Sequence, residues 1–168
     1  LYSYDADPEM IERVNVEGTR NVLDACISKH VRRLVHTSTA GTCGPVPGRE
    51  ATELDSPPVW ELRVPYKRTK LAAEQVVLDA ARAGFDAVVV NPTTPVGEGD
   101  MKPTPTGRMI AGVASGSIRG YVATTGLNVV DVRDVARGHA LALERGKRGE
   151  RYLLGGVNLS LAELFGAV

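Results

Sequence analysis

The stretch "PYKRTKLAAEQVVLDAARAGFDAVVVNP", Pro65 to Pro92, decides the fold. Its first part reads as a long helix with Gly84 as the expected stop, because glycine accepts the left-handed conformation that ends helices. Its last part, "DAVVVNP", is an unbroken apolar run. An alternating strand has one wet face, whereas a continuous run suits a strand buried on both.

Helix and strand keep alternating outward from this unit. Upstream, "DPEMIERVNVEGTRNVLDACISKH" predicts a helix with Asp7 as N-cap and Pro8 at its first position. Ile11, Val14, Val22 and Cys26 follow helical spacing within it. "RRLVHTS" reads as a strand. Residues 45–64 carry Pro45, Pro47, Pro57 and Pro58, with Pro65 just beyond, and predict an irregular surface excursion. Downstream, a Pro/Gly loop precedes a helix near 106–116 and short strands around 119–123 and 127–132. "RDVARGHALALERG" is a further amphipathic helix with Asp134 as its expected N-cap, and "RYLLGG" another strand. Ser160 and Glu163 in "SLAE" have capping-box spacing. This alternation predicts an α/β fold with a parallel sheet and right-handed crossovers.

Over 168 residues, a 43% hydrophobic content suits a single globular domain. Twenty basic residues balance twenty acidic ones with no long block of either sign. Nothing therefore argues for nucleic acid or an anionic membrane as partner. No apolar run approaches the ~18 residues of a membrane span, and no basic-plus-apolar leader opens the sequence. Cys26 and Cys43 fit neither a disulfide framework nor a zinc site, and His30, His36 and His139 lack ligand spacing, so no metal is expected. Structural roles and a reducing, cytoplasmic compartment are the default expectations.

The loop "VHTSTAGTCGPVPG", Val35 to Gly48, superficially resembles a phosphate cradle. A dinucleotide turn needs tightly spaced glycines opening directly into a helix, whose free amides meet the pyrophosphate. Here Gly41, Gly44 and Gly48 are spaced too widely, and Pro45 and Pro47 remove amide donors. A long loop, not a helix, follows. The loop needs another role.

Tyr66 and Lys70 in "PYKRTK" suggest one. Four residues apart on a helix, they share a face. A phenol with pKa ~10 is a poor base at neutral pH, and a neighbouring ammonium favours the phenolate. YxxxK alone also arises by chance on solvated helix faces. Its surroundings add to it: "HTSTAG" and "NVEGTRNVL" upstream, "YKRTKLAAEQ" around it, and "NPTTPVGEGDMKPTPTGRMI", "GLNVVDVRDVARGHALALERG" and "GERYLLGG" downstream. This ordered set, over essentially the whole sequence, resembles the extended short-chain dehydrogenase/reductase superfamily. That superfamily includes the sugar-nucleotide epimerases and dehydratases and the dihydroflavonol-reductase-like enzymes. Within it, the hopanoid-associated sugar epimerase group is similar.

The resemblance implies a Rossmann-like, doubly wound parallel sheet, present as a partial, C-terminal-half domain. Residues 1–168 would form one partial NAD(P)-binding domain, with substrate-lobe segments around 92–130 and 155–168. The cofactor would be NAD or NADP, with its adenosine and pyrophosphate half-site upstream of residue 1. Tyr66 would be the acid/base, Lys70 its partner on the nicotinamide ribose, and Thr39 the triad hydroxyl, with Ser38 the fallback in an adjacent register. Ser38, Pro92 and Thr93 would approach the cofactor, and Thr39 and Thr94 the substrate. Asn15 matches an asparagine supporting the active site, and reads equally as a helix-interior polar residue facing solvent. The implied activity is oxidoreductase or epimerase chemistry on a nucleotide sugar or related small carbonyl or alcohol. The alternative is a truncated, catalytically silent member used for binding or oligomerisation. A homodimer through the "YKRTKLAAEQ" helix is a further expectation by analogy.

Overall fold

The computed structural model describes residues 7–122 and 124–168. The chain begins with α1 (Pro8–Glu12), a π-helical turn (Arg13–Glu17) and α2 (Gly18–Ser28). Asp7 caps α1 by accepting from the Glu9 amide, and Pro8 takes the first turn. Strand β1 (Leu34–Thr37) runs into a 3₁₀ turn (Ala40–Thr42). The proline-rich excursion then includes a second 3₁₀ turn (Val59–Arg63) before α3 (Pro65–Arg82) and β2 (Ala87–Pro92). Gly84 sits at φ 112° just beyond α3, a conformation that strains any residue with a Cβ. The remaining elements are β3 (Thr94–Val96), α4 (Pro105–Ala114), β4 (Gly126–Asp131), α5 (Val132–Arg145), β5 (Arg151–Leu154), β6 (Val157–Ser160) and α6 (Leu161–Gly166).

The main sheet has the order β1-β2-β5 and is parallel throughout. Strand β2 lies at its centre, and Val88, Val89 and Val90 are fully buried. Its alternate residues serve opposite layers. Ala87 and Val89 pack with Val77 and Ala81 of α3, while Val88 and Val90 pack with Ala142 of α5. Each fully buried valine stabilises the fold by about 1.5–3 kcal/mol. The unbroken apolar run therefore has its physical explanation in helices on both faces, the doubly wound α/β arrangement.

A second sheet has the order β3-β4-β6, with β3 and β4 parallel and β4 and β6 antiparallel. Both crossovers of the main sheet advance in the same direction, one covered by α3 and the other by α5 on the opposite face. They are consequently of opposite hand, which corrects the expectation of uniformly right-handed connections. The handedness rule applies to a strand feeding directly through one helix to its neighbour. Here the β2–β5 link detours through β3, α4 and β4.

Two local readings also change. No strand forms over residues 119–122, and Ala123, at the end of that expected strand, lies outside the described residues. The N-cap of α5 is Asp131, whose carboxylate accepts from the Arg133 amide at 2.8 Å, while Asp134 lies inside the first turn and pairs with Arg137. Asp131 is the last residue of β4, so strand and helix abut without a loop. The capping box at α6 forms as expected, with the Glu163 amide donating to Ser160 Oγ and the Ser160 amide donating to Glu163.

Candidate active site

Strands β1 and β2 end side by side, Thr37 pairing in register with Val90. In open parallel sheets ligands bind beyond such C-terminal ends. Thr39, two residues past β1, is extended and caps the 3₁₀ turn, its Oγ1 accepting from the Gly41 amide at 3.2 Å. Val35–Gly48 is thus a hydroxyl-bearing turn with no helix following its glycines.

Thr39 and Tyr66 share a side-chain hydrogen bond. The sequence expectation was that Lys70 would lower the phenol's pKa. In the structure burial raises it, and the Thr39 hydrogen bond opposes that rise only in part. Lys70 donates its ammonium to the Thr37 carbonyl at 2.7 Å. Burial in turn lowers the pKa of Lys70, with the nearby Glu74 carboxylate opposing.

Asn15 is buried in the π-helical turn, and its Nδ2 donates to Thr69 Oγ1 at 3.0 Å. The solvent-facing reading of Asn15 is therefore incorrect. Thr69 immediately precedes Lys70, and its hydroxyl donates to the Tyr66 carbonyl at 3.0 Å. A π turn widens a helix locally, and such turns cluster at functional sites. Here it occurs where α1 and α2 meet α3.

A cleft of about 740 Å³ opens beside Thr39, Thr93 and Thr94 and is walled by Arg49, Leu127 and Asn158 among others. A smaller cleft of about 450 Å³ is lined by Asn15, His36, Thr37 and Lys70. Thr39, Thr93 and Thr94 thus line one cleft, and Asn15 and Lys70 the other. Pro92 is buried at the end of β2. The Thr93 amide is committed to the Leu154 carbonyl at 3.1 Å, which leaves Thr93 a side chain, not a free amide, at the cleft.

Sequence reading missed the polar core behind this site. Glu74, 1% exposed, accepts from Thr42 Oγ1 at 2.7 Å, Asn91 Nδ2 at 2.8 Å and Arg151 Nη1 at 3.0 Å. The available signal was spacing: Tyr66, Lys70 and Glu74 recur every four residues on one face of α3.

Among the described residues, no group of three His, Cys, Asp or Glu side chains could hold a metal ion, and no helix is long and apolar enough to cross a membrane. His139 is fixed structurally. Its Nδ1 meets the Val135 carbonyl and its Nε2 meets Thr37 Oγ1, each at 2.8 Å.

The profile of the NAD dependent epimerase/dehydratase family matches residues 3–155. The chain belongs to this family. It is 46% identical over 163 residues to a putative dihydroflavonol 4-reductase from Synechocystis sp., covering 94% of this chain and 47% of that protein. A solved structure described as gox2253 superimposes with a TM-score of 0.88 at 48% identity, covering 99% of this chain and 50% of that one. RMD from Pseudomonas aeruginosa, solved with NADPH, gives a TM-score of 0.75 at 26% identity over 95% of this chain and 58% of that one. The chain spans about half the length of the curated relatives it matches.

The cofactor of the family is a nicotinamide dinucleotide, NAD or NADP. The residues present fit the nicotinamide end of such a molecule. His36 Nε2 in β1 and Ser38 Oγ just past it are buried without a hydrogen-bond partner, on either side of the Thr37 carbonyl that accepts from the Lys70 ammonium of α3. Buried polar groups normally find partners, so orphaned ones at a strand's C-terminal end fit a polar ligand.

Proposed function

We propose that this chain carries the reacting end of an NAD(P)-dependent oxidoreductase or epimerase acting on a carbonyl or alcohol, of nucleotide-sugar or related type. The hydrogen bond between Thr39 and Tyr66 at the end of the parallel sheet carries this reading. Two hydroxyls on different elements, held together where ligands bind, are suited to grip one substrate oxygen. When bound, the dinucleotide supplies or accepts a hydride.

The chain's own residues handle the oxygen and the proton. Tyr66, with its pKa raised by burial, remains a neutral phenol at physiological pH and can donate its proton to a carbonyl oxygen being reduced. Thr39 donates to or accepts from the same oxygen, and Thr94 lines the cleft that would hold the rest of the substrate. Lys70, Ser38, Pro92 and Thr93 would hold the nicotinamide and its ribose. Asn15 would support them through Thr69, which sits between Tyr66 and Lys70 on α3.

The test is Tyr66→Phe in the full-length protein, following NADPH consumption with a dihydroflavonol and, because epimerisation consumes no net cofactor, chromatographic appearance of the sugar product with a nucleotide sugar. Removing a positioned acid/base lowers turnover about 10²–10⁴-fold. Turnover equal to the unmutated protein would refute the assignment of Tyr66. Thr39→Val, which keeps the shape and removes the hydroxyl, should also lower kcat.

A further inference from the structure

We propose that Arg151 is a positioning residue that straps the cleft's outer rim, Arg49–Asp55, to the buried Glu74 of the Tyr66 helix. That the cleft binds substrate rests on the function proposed above; the strap itself rests on contacts within this chain.

The rim is a self-stapled unit. Arg49 makes a two-pronged pair with Asp55, at 2.8 and 2.5 Å, and the Thr52 amide and hydroxyl both donate to the Asp55 carboxylate. A loop closed in this way moves as one body, so its placement depends on its tethers. Arg151 supplies the most central of these. Its Nη2 donates to the carbonyls of Glu53 and of Asp55, the latter at 2.9 Å, while Nη1 meets Glu74 Oε1 at 3.0 Å. The Leu153 amide donates to Glu53 Oε1 at 3.0 Å, and Asn158 Nδ2 donates to Glu50 Oε1 at 2.6 Å.

One guanidinium therefore spans from a buried carboxylate to two backbone carbonyls of the rim. Only a planar fork does this, since a lysine ammonium has a single nitrogen to place. Glu74 lies two turns beyond Tyr66 on α3, so the strap fixes the rim relative to the helix that carries Tyr66 and Lys70. Arg49, Glu50 and Ala51 of the rim line the cleft together with Thr39, Thr93 and Thr94. Arg151 thereby sets the width of the cleft and, with it, the affinity for substrate.

The test compares Arg151→Lys with the unmutated full-length protein by hydrogen exchange of peptides covering 49–55. KM and kcat for a dihydroflavonol with NADPH are measured alongside. Losing charge-assisted bonds to two carbonyls should accelerate rim exchange about tenfold or more, leaving the β2 peptide unchanged. KM should rise several-fold with kcat within about twofold. Rim exchange unchanged within twofold overturns the strap. A freed rim with unchanged KM, or a lower kcat at unchanged KM, overturns its role in substrate affinity. Should Arg151→Lys fail to fold, Arg151→Met combined with Glu74→Met removes both buried charges, and the strap is then read as faster exchange of the rim peptide relative to the β2 peptide. Failure of the unmutated protein to turn over dihydroflavonol and nucleotide sugar alike counts against the proposed function, and the exchange result still decides the strap.

Discussion

Replacing Glu74 by methionine removes the charge at the centre of the polar core while nearly preserving side-chain volume. In the folded protein that carboxylate is 1% exposed and accepts hydrogen bonds from Thr42, Asn91 and Arg151. The substitution strips all three donors of an acceptor and leaves the Arg151 guanidinium, with 15% side-chain exposure, without its counter-charge. Breaking a buried pair by removing one partner costs about 3–5 kcal/mol. For a chain of this size each kcal/mol moves Tm by roughly 2–4 °C, so a drop on the order of 10 °C is expected. Urea melts of the unmutated protein, both single variants and Glu74→Met with Arg151→Met form a double-mutant cycle. The pair should prove less costly than the sum of the singles by about 1–3 kcal/mol, because each single strands the charge the other one neutralises. It should not return to the unmutated level, since the Glu53 and Asp55 carbonyls would lose their Arg151 donor, while Thr42 and Asn91 would keep only their bonds to the Thr39 carbonyl and to each other. A cost below ~1 kcal/mol for Glu74→Met, or additivity within ~0.5 kcal/mol, would refute this account of the core.

Acid should destabilise the fold through His36, whose pKa is lowered from 6.5 to about 4, first by burial and then by the Lys70 charge, with Glu74 opposing. A folded pKa below the unfolded one means that His36's contribution is complete above pH ~6.5 and is lost as pH falls toward 4. Roughly 3 kcal/mol is at stake across that window, so urea melts of His36→Phe should vary less between pH 7 and 4.5 than those of the unmutated protein; equal slopes would remove His36 from the explanation. At the opposite end of the chain, Ser160→Ala deletes the capping box of α6. It should cost about 1 kcal/mol in a denaturant melt, and no change would mean that α6 is held by packing, with Leu164 as its buried contact.

Much of this protein was legible in the residue order. The run "DAVVVNP" announced a strand covered on both sides, and Pro8, Gly84 and the Ser160–Glu163 pair marked helix ends correctly, because these signals act through the local backbone. The wide glycine spacing in Val35–Gly48 argued against a phosphate cradle, and Tyr66 and Lys70 were singled out by spacing on one helix. Other features arise only when distant segments meet. Asn15 could be read as solvated or buried until α3 covered it. The phenol of Tyr66 could be expected to titrate low until burial reversed the direction. Glu74 and Arg151 lie 77 positions apart, and nothing local to either predicts that one carboxylate will face three donors. Patterning selects elements and faces, because hydrophobic burial and backbone geometry act at short range. Pairing, hand of connection and pKa depend on which surfaces finally exclude water together, and that was decided by the tertiary structure alone.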